Sequence, residues 1–278
     1  MEQLFKLRTT ILSVVIDLSR ITFGRHSFKP KGKELSFNGI SAKGVSEALK
    51  SGRKMVRTTR NPNGTMRTVK YYAGQGVDLG KLSTDSLRTV ATAEMHRQGF
   101  MEKGGKVITT KNRRGEVLPT EIRLRKDLGF GLAFKDKATY EKILNSKYGG
   151  DQKKGYTAWV NGKELFNGAM IPPHEAVKRL TRFIALGIRA ERMGRKDFEI
   201  SNHSHAWYAD ALVEELTGKS INSFNPTGLL RENEKAIIDV KDGATTNPKV
   251  FIKYRNKKPI NITSALKEKF PNVLKGKF

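Results

Sequence analysis

Strand-like and helix-like segments alternate along this chain, and that alternation constrains its fold more than any other feature, because it calls for a layered α/β domain. The clearest stretch opens at Pro172-Pro173, where proline suits a first helical turn. Val177, Leu180, Ile184, Leu186 and Ile188 then form a buried stripe. Phe198 and Ile200 predict a strand running into Asn202-His203-Ser204-His205. Trp207, Leu212, Val213 and Leu216 predict the next helix, closed by Gly218. Nearer the start, Ile21-Thr22-Phe23 predicts a short strand running into Gly24-Arg25-His26-Ser27. Ser41 reads as the N-cap of a helix carrying Val45, Ala48 and Leu49. A second helix, with Leu87, Val90, Ala91, Ala93 and Met95, follows Ser83-Thr84-Asp85. Lys235 to Val240 and Val250 to Tyr254 predict a hairpin around Asp242-Gly243.

Other segments are less regular. Leu4, Leu7, Ile11, Val15 and Leu18 fall at helical spacing and predict an amphipathic N-terminal helix over residues 1–20. Segment 57–76, with Asn-Pro-Asn-Gly and many cations, reads as a basic hairpin or an inserted loop. Residues 100–136, rich in Lys, Arg and Gly, read as an excursion above the sheet.

At 278 residues the chain is long enough to bury a sizeable core. The absence of cysteine excludes disulfides, Cys-ligated zinc, iron–sulfur clusters and thiol nucleophiles, and fits a reducing compartment. No apolar run approaches the ~18 residues of a membrane-spanning helix, so the expected location is cytoplasmic, with no membrane partner. Against 27 acidic residues stand 53 Lys and Arg, a formal charge of +26, which attracts polyanions whatever the fold. The densest patches are Arg57 to Lys70, Lys103 to Lys126 and the end of the chain from residue 249. Tyr71, Tyr72, Phe251, Tyr254 and Phe278 lie in or beside them. No zinc-finger, RRM or helix-turn-helix signature accompanies these patches, and no Gly-x-x-x-x-Gly-Lys-Ser/Thr loop supports an ATPase.

The five histidines are His26, His96, His174, His203 and His205. In open α/β sheets ligands bind beyond the carboxyl ends of strands, so His26 and the His203/His205 pair, each ending a predicted strand, mark a candidate site. Four pieces occur in order: Phe23-Gly24-Arg25-His26; Ile40-Ser41-Ala42-Lys43-Gly44; Ser83-Thr84-Asp85-Ser86-Leu87-Arg88 with Thr92-Ala93; and a late strand ending in His before a helix. As an ordered set, over roughly residues 20–255, they make the chain resemble the histidine phosphatase superfamily, the phosphoglycerate-mutase-like fold. Two positions depart from that pattern: Ser27 stands where the family has Gly, and Asp85 where it has Pro.

The resemblance implies an α/β three-layer sandwich whose mostly parallel central sheet is flanked by helices, with a C-terminal β-hairpin and basic tail. The catalytic domain would span 1–248, with 1–20 as an N-terminal helix and 100–170 as an inserted excursion over the site; 249–278 would be a basic strand and tail. It implies a metal-independent phosphatase acting on phosphomonoesters through a phosphohistidine. His26 would be the nucleophile, and Arg25 and Arg88 would clamp the phosphoryl oxygens, with Ser27 beside the phosphate. The second histidine would be His205 or His203: the count back from Gly218 selects the former, the strand register the latter. Glu121 or Asp127 would be the proton donor to the leaving group. His96 and His174 are read as structural. The scheme calls for no metal and no cofactor. The expected partner is a phosphorylated small molecule, and a mutase is a weaker variant. The alternative reading is a catalytically weak or inactive phosphatase-like protein that binds nucleic acid or another polyanion through its basic loops and tail.

Overall fold

Strand β1 (Leu18–Arg25) lies at the junction of two halves of one sheet, parallel to one neighbour and antiparallel to the other. The computed structural model describes residues 18–25, 36–37, 39–60, 64–74, 84–111, 116–129, 133–195, 197–224, 229–255 and 257–278. The strands after β1 are β2 (Ser36–Phe37), β3 (Ile40–Ser41), β4 (Thr68–Gly74), β5 (Lys106–Val107), β6 (Thr109–Lys111), β7 (Val117–Pro119), β8 (Arg123–Arg125), β9 (Phe198–Ser204), β10 (Lys235–Lys241), β11 (Lys249–Tyr254) and β12 (Ile260–Asn261). The helices are α1 (Ala42–Thr58), α2 (Thr84–Glu102), α3 (Lys137–Tyr148), α4 (Gln152–Val160), α5 (Pro173–Arg192), α6 (Ala206–Thr217), α7 (Ile221–Phe224) and α8 (Thr263–Lys269).

The main sheet runs β12-β11-β10-β1-β9-β4-β5, with β8 also paired to β4. β1, β9, β4, β5 and β8 are parallel, and the C-terminal strands β10, β11 and β12 add antiparallel to the β1 edge. Successive side chains alternate between the two faces. Ile21, Phe23, Tyr72 and Ile200 go to the face covered by α5 and α6, where Phe23 and Tyr72 both meet the Phe183 ring edge-on. Val69 and Tyr71 go to the other face, under Met55 of α1 and Phe100 of α2. The result is the expected three-layer sandwich with a mostly parallel centre.

Local signals set the element ends. Ser41 Oγ accepts the Gly44 N–H at 3.1 Å and caps α1. Pro173 opens α5, and Gly218 closes α6 with a positive φ of 65°. Helices α1 and α2 touch backbone to backbone: a Cβ on Gly52 would stand 2.0 Å from the His96 carbonyl oxygen, and one on Gly99 2.2 Å from that of Leu49.

Three expectations change. Leu18, expected to end an N-terminal helix, begins β1; residues 1–17 lie outside the described residues. Of segment 57–76, expected to be a basic hairpin or an inserted loop, the described residues form the end of α1, an isolated Arg60–Met66 bridge and the inner strand β4. Within the stretch 100–136, β5 and β8 join the main sheet, while β6 and β7 form a separate two-stranded ribbon. The basic C-terminal segment packs onto the domain through Ile262, Leu266, Phe270 and Val273, which are buried.

Candidate active site at the carboxyl edge of the sheet

The parallel register of β1 on β9 pairs Gly24 with His203 and Arg25 with Ser204. The residues that follow Arg25 and Ser204 in the sequence are both histidines, His26 and His205. His26 and Ser27 lie outside the described residues. His205 has extended backbone (φ −104°, ψ 147°) and occupies the N-cap position of α6 without a side-chain capping bond. It therefore sits where β9 ends and α6 begins, at the carboxyl edge.

His203 is different. It lies inside β9 on the α1/α2 face, with Nε2 3.2 Å from Ser201 Oγ and its ring stacked at 6.0 Å on Tyr71. Burial, with the Lys235 charge adding to it, holds its pKa down to about 3. Its Nδ1 is buried without a hydrogen-bond partner.

Arg25 turns toward the loop ahead of β10. Its Nη1 donates to the Leu230 carbonyl at 2.9 Å and its Nη2 pairs with Glu232 Oε1 at 3.0 Å. That loop is held from below by Asp210 of α6, whose carboxylate accepts the Leu230 N–H at 3.2 Å and the Tyr254 hydroxyl at 2.6 Å. Burial raises the Asp210 pKa to about 7, against the pull of those two donors and of Arg255 and Arg25. Arg88 stands in the second turn of α2. Its neighbour Thr89 donates through Oγ1 to the Gly74 carbonyl at 2.7 Å, which fixes this part of α2 level with the carboxyl end of β4.

Beneath this edge, between the sheet and α1/α2, lies a polar cavity of about 10 Å³, room for about one water molecule. Gly24, Arg25, Ser51, His96, His203 and Lys235 are among its walls. Lys235 Nζ approaches His96 Nε2 at 3.4 Å, and His96 Nδ1 is 3.2 Å from Tyr71 Oη. Burial lowers the pKa of both Lys235 and His96, and raises that of Glu199 beneath them. The sequence reads His96 as structural and does not single out Lys235, Asp210 or Glu199. Nothing local marks a buried ion on a half-charged strand.

No protein-family model matches the sequence, and no curated protein matches it. Solved structures do. The fold is similar to that of mycobacterial hydrolase 2, with a TM-score of 0.51 at 12% identity, covering 91% of this chain and 96% of that one. It is similar also to mycobacterial glucosyl-3-phosphoglycerate phosphatase, with a TM-score of 0.51 at 11% identity, covering 87% of this chain and all of that one (100%). The chain shares the overall fold of these two structures. No described helix is long and apolar enough to cross a membrane.

Within this fold the two candidate acids part company. Glu121 precedes β8, and the register Tyr72–Arg123 and Gly74–Arg125 puts Arg125 at the carboxyl edge. Four residues earlier along an extended chain is roughly 13 Å away from that edge, so Glu121 is exposed and is not brought to the other site residues. Asp127 lies in the segment that crosses the ends of β4 and β9, where Ser204 Oγ donates to the Leu128 carbonyl and Tyr208 Oη to that of Gly129. Gly74 permits that crossing, since a Cβ there would stand 2.5 Å from the Leu128 oxygen. Yet both Asp127 oxygens are occupied, by Arg125 Nη2 at 2.7 Å and Arg182 Nη1 at 3.2 Å. His174 is on the outer surface, paired with Glu215 at 3.1 Å and stacked on Phe270.

Proposed function

We propose that the chain is a metal-independent phosphatase that hydrolyses phosphomonoesters through a phosphohistidine on His26. One observation carries the reading: Arg25 and Ser204 are paired across adjacent parallel strands at the carboxyl edge of the sheet, and in the sequence each is followed by a histidine. Arg88 on the Thr89-anchored turn of α2 supplies a second guanidinium at the same edge.

In this scheme a neutral His26 ring nitrogen attacks phosphorus, the phosphorus–oxygen ester bond breaks, and the alcohol leaves with a proton from a general acid. Water then attacks phosphorus, giving a proton back to the general acid, and the phosphorus–nitrogen bond breaks to release inorganic phosphate and neutral histidine. His205, the second histidine, donates to a phosphoryl oxygen, as do Arg25 and Arg88, whose planar forks suit that geometry. Positioning and charge neutralisation supply most of the rate. For Arg25 to join the clamp it must exchange its bond to Glu232 for the phosphoryl group. His203, in this reading, is a supporting residue of the cavity below.

The test is hydrolysis of p-nitrophenyl phosphate with a chelator present, comparing the wild-type protein with His26→Ala over pH 5–8, around the reference histidine pKa of ~6.5. An aryl leaving group departs with little protonation, so the assay reads the nucleophile irrespective of the acid. Chelator-resistant turnover that disappears in His26→Ala is the expected result. Equal turnover in both proteins, or none in either, would overturn the reading.

A further inference from the structure

A further concentration of positive charge lies on the α5 side of the sheet. From Lys178 to Arg195 the chain holds six cations and a single acid, Glu191. Glu191 is turned inward, where its oxygens accept the Ser19 and Gly243 N–H groups. Lys178, Arg189, Arg192 and Arg195 are exposed. The helical part of this row, Lys178 to Arg192, is about 21 Å long at ~1.5 Å per residue.

The row continues onto the sheet. In the β4–β8 register Arg123 is level with Tyr72, on the face that Tyr72 shares with Phe183. Lys70, two residues before Tyr72 and over its ring, is on that same face. Arg123 and Arg195 both lie close enough to Lys70 to help burial lower its pKa. Three cations therefore converge from β4, β8 and the end of α5. Among the described residues none of the three is within ion-pairing distance of a carboxylate. Like charges gathered without a counter-ion cost folding energy, and an anion with repeated charges at close spacing relieves that cost. Midway along the row the Phe278 ring is 63% exposed and lies against the guanidinium groups of Arg182 and Arg189 at 5.7 and 6.0 Å. A cationic track beside an exposed aromatic face is the arrangement that holds a sugar-phosphate backbone and stacks a base.

We propose that this face, from Lys70, Arg123 and Arg195 along α5 to Phe278, binds nucleic acid through its phosphate backbone without reading sequence. The surface adjoins the carboxyl-edge site through the Arg182–Asp127 pair, and it does not depend on the phosphatase reading. Lys70, Arg123 and Phe278 belong to patches that composition alone pointed to, and the cations of α5 join them into one face.

Binding of a fluorescein-labelled single-stranded oligonucleotide by the full chain, followed by anisotropy across a salt series, tests it. Arg123→Gln with Arg195→Gln should weaken binding about tenfold or more at low salt and make the slope of log affinity against log salt shallower by about two, one per lost phosphate contact. Both arginines are exposed, and an unchanged melting temperature confirms an intact fold. Phe278→Ala should weaken binding without changing the slope. Lys54→Gln with Arg57→Gln, on α1 at the opposite face, removes the same charge and should leave the slope as it was. Equal losses from the two pairs would reduce the effect to net charge and overturn the proposal. So would an unchanged affinity in Arg123→Gln with Arg195→Gln, or tighter binding to phosphatidylserine vesicles than to the oligonucleotide at the same salt.

Discussion

The Tyr254 hydroxyl donates to Asp210 Oδ1 at 2.6 Å, so a strand of the C-terminal hairpin holds the helix residue that in turn holds the loop beneath Arg25. The bond joins β11 to α6 across 44 residues of sequence, and both groups are buried. The arginine proposed to grip phosphate thus rests on a buried carboxyl group with a displaced pKa.

That displacement has a sign. With a pKa of about 7 in the folded protein against the ordinary aspartate value of 3.8, Asp210 keeps its proton where the unfolded chain has lost it. Its contribution to stability is greatest below pH 4, declines as pH rises to about 7, and is flat above. His203, held down to about 3, and His96, also lowered, act oppositely: their contribution is lost as pH falls below 6.5. Comparison with Asp210→Asn separates the two. The variant should gain on wild type by a few kcal/mol at most between pH 5 and pH 8. Melting curves at the two values measure it, and a wild-type-minus-variant difference independent of pH would refute the assignment.

The two adjacent histidines should respond to substitution in opposite ways. His205→Ala, at the strand end, should lower kcat on an aryl phosphate by about 100-fold or more, with stability changed by less than about 1 kcal/mol. His203→Ala empties a buried position and leaves Ser201 without its ring partner, which should cost about 2–3 kcal/mol in urea denaturation. The folded His203→Ala protein should retain kcat within a few-fold. A reversed pattern would make His203 the phosphate ligand.

Asn202 gives a stability test. Its side-chain oxygen and nitrogen are both buried without hydrogen-bond partners, between Phe23 and Tyr72 in the sheet register. An orphaned buried amide costs about 1–3 kcal/mol, so Asn202→Leu should raise the urea midpoint. A fall would reveal a bound water or ligand satisfying the amide in solution.

What can be read from the sequence is whatever is decided locally. Ser41 as a cap, Pro173 as a helix start, Gly218 as a stop and the β10–β11 hairpin depend on a few neighbouring residues each, and the structure has all four. β4 reads as a hairpin because its inner-strand character, in Val69, Tyr71, Tyr72 and Ala73, is interrupted by Lys70 and preceded by a strong turn signal. Lys70 is tolerable there only because β4 leaves that end of the α5 face uncovered, which no local pattern discloses. The nine Lys and Arg from residue 249 onward similarly hide Leu266 and Phe270, spaced one helical turn apart and both buried. The separation of Glu121 from Asp127 depends on how β8 registers on β4, a contact about 50 residues long-range.

Gly52→Ala is expected to cost more than about 3 kcal/mol, measured by denaturation, because its methyl carbon would fall on a backbone oxygen that cannot move alone.

The same glycine contact has a consequence for catalysis. Helices whose main chains touch have no compliant side-chain layer between them, so α1 and α2 shift together or not at all. Arg88 is eight residues up α2 from His96, whose carbonyl rests on Gly52. The contact is thus the fulcrum of a stiff arm, and thickening it by one carbon tilts the far end. A variant with an untouched carboxyl edge would then lose turnover by misplacing the guanidinium proposed to clamp phosphate, and its defect would show in kcat even at temperatures where the protein is still folded.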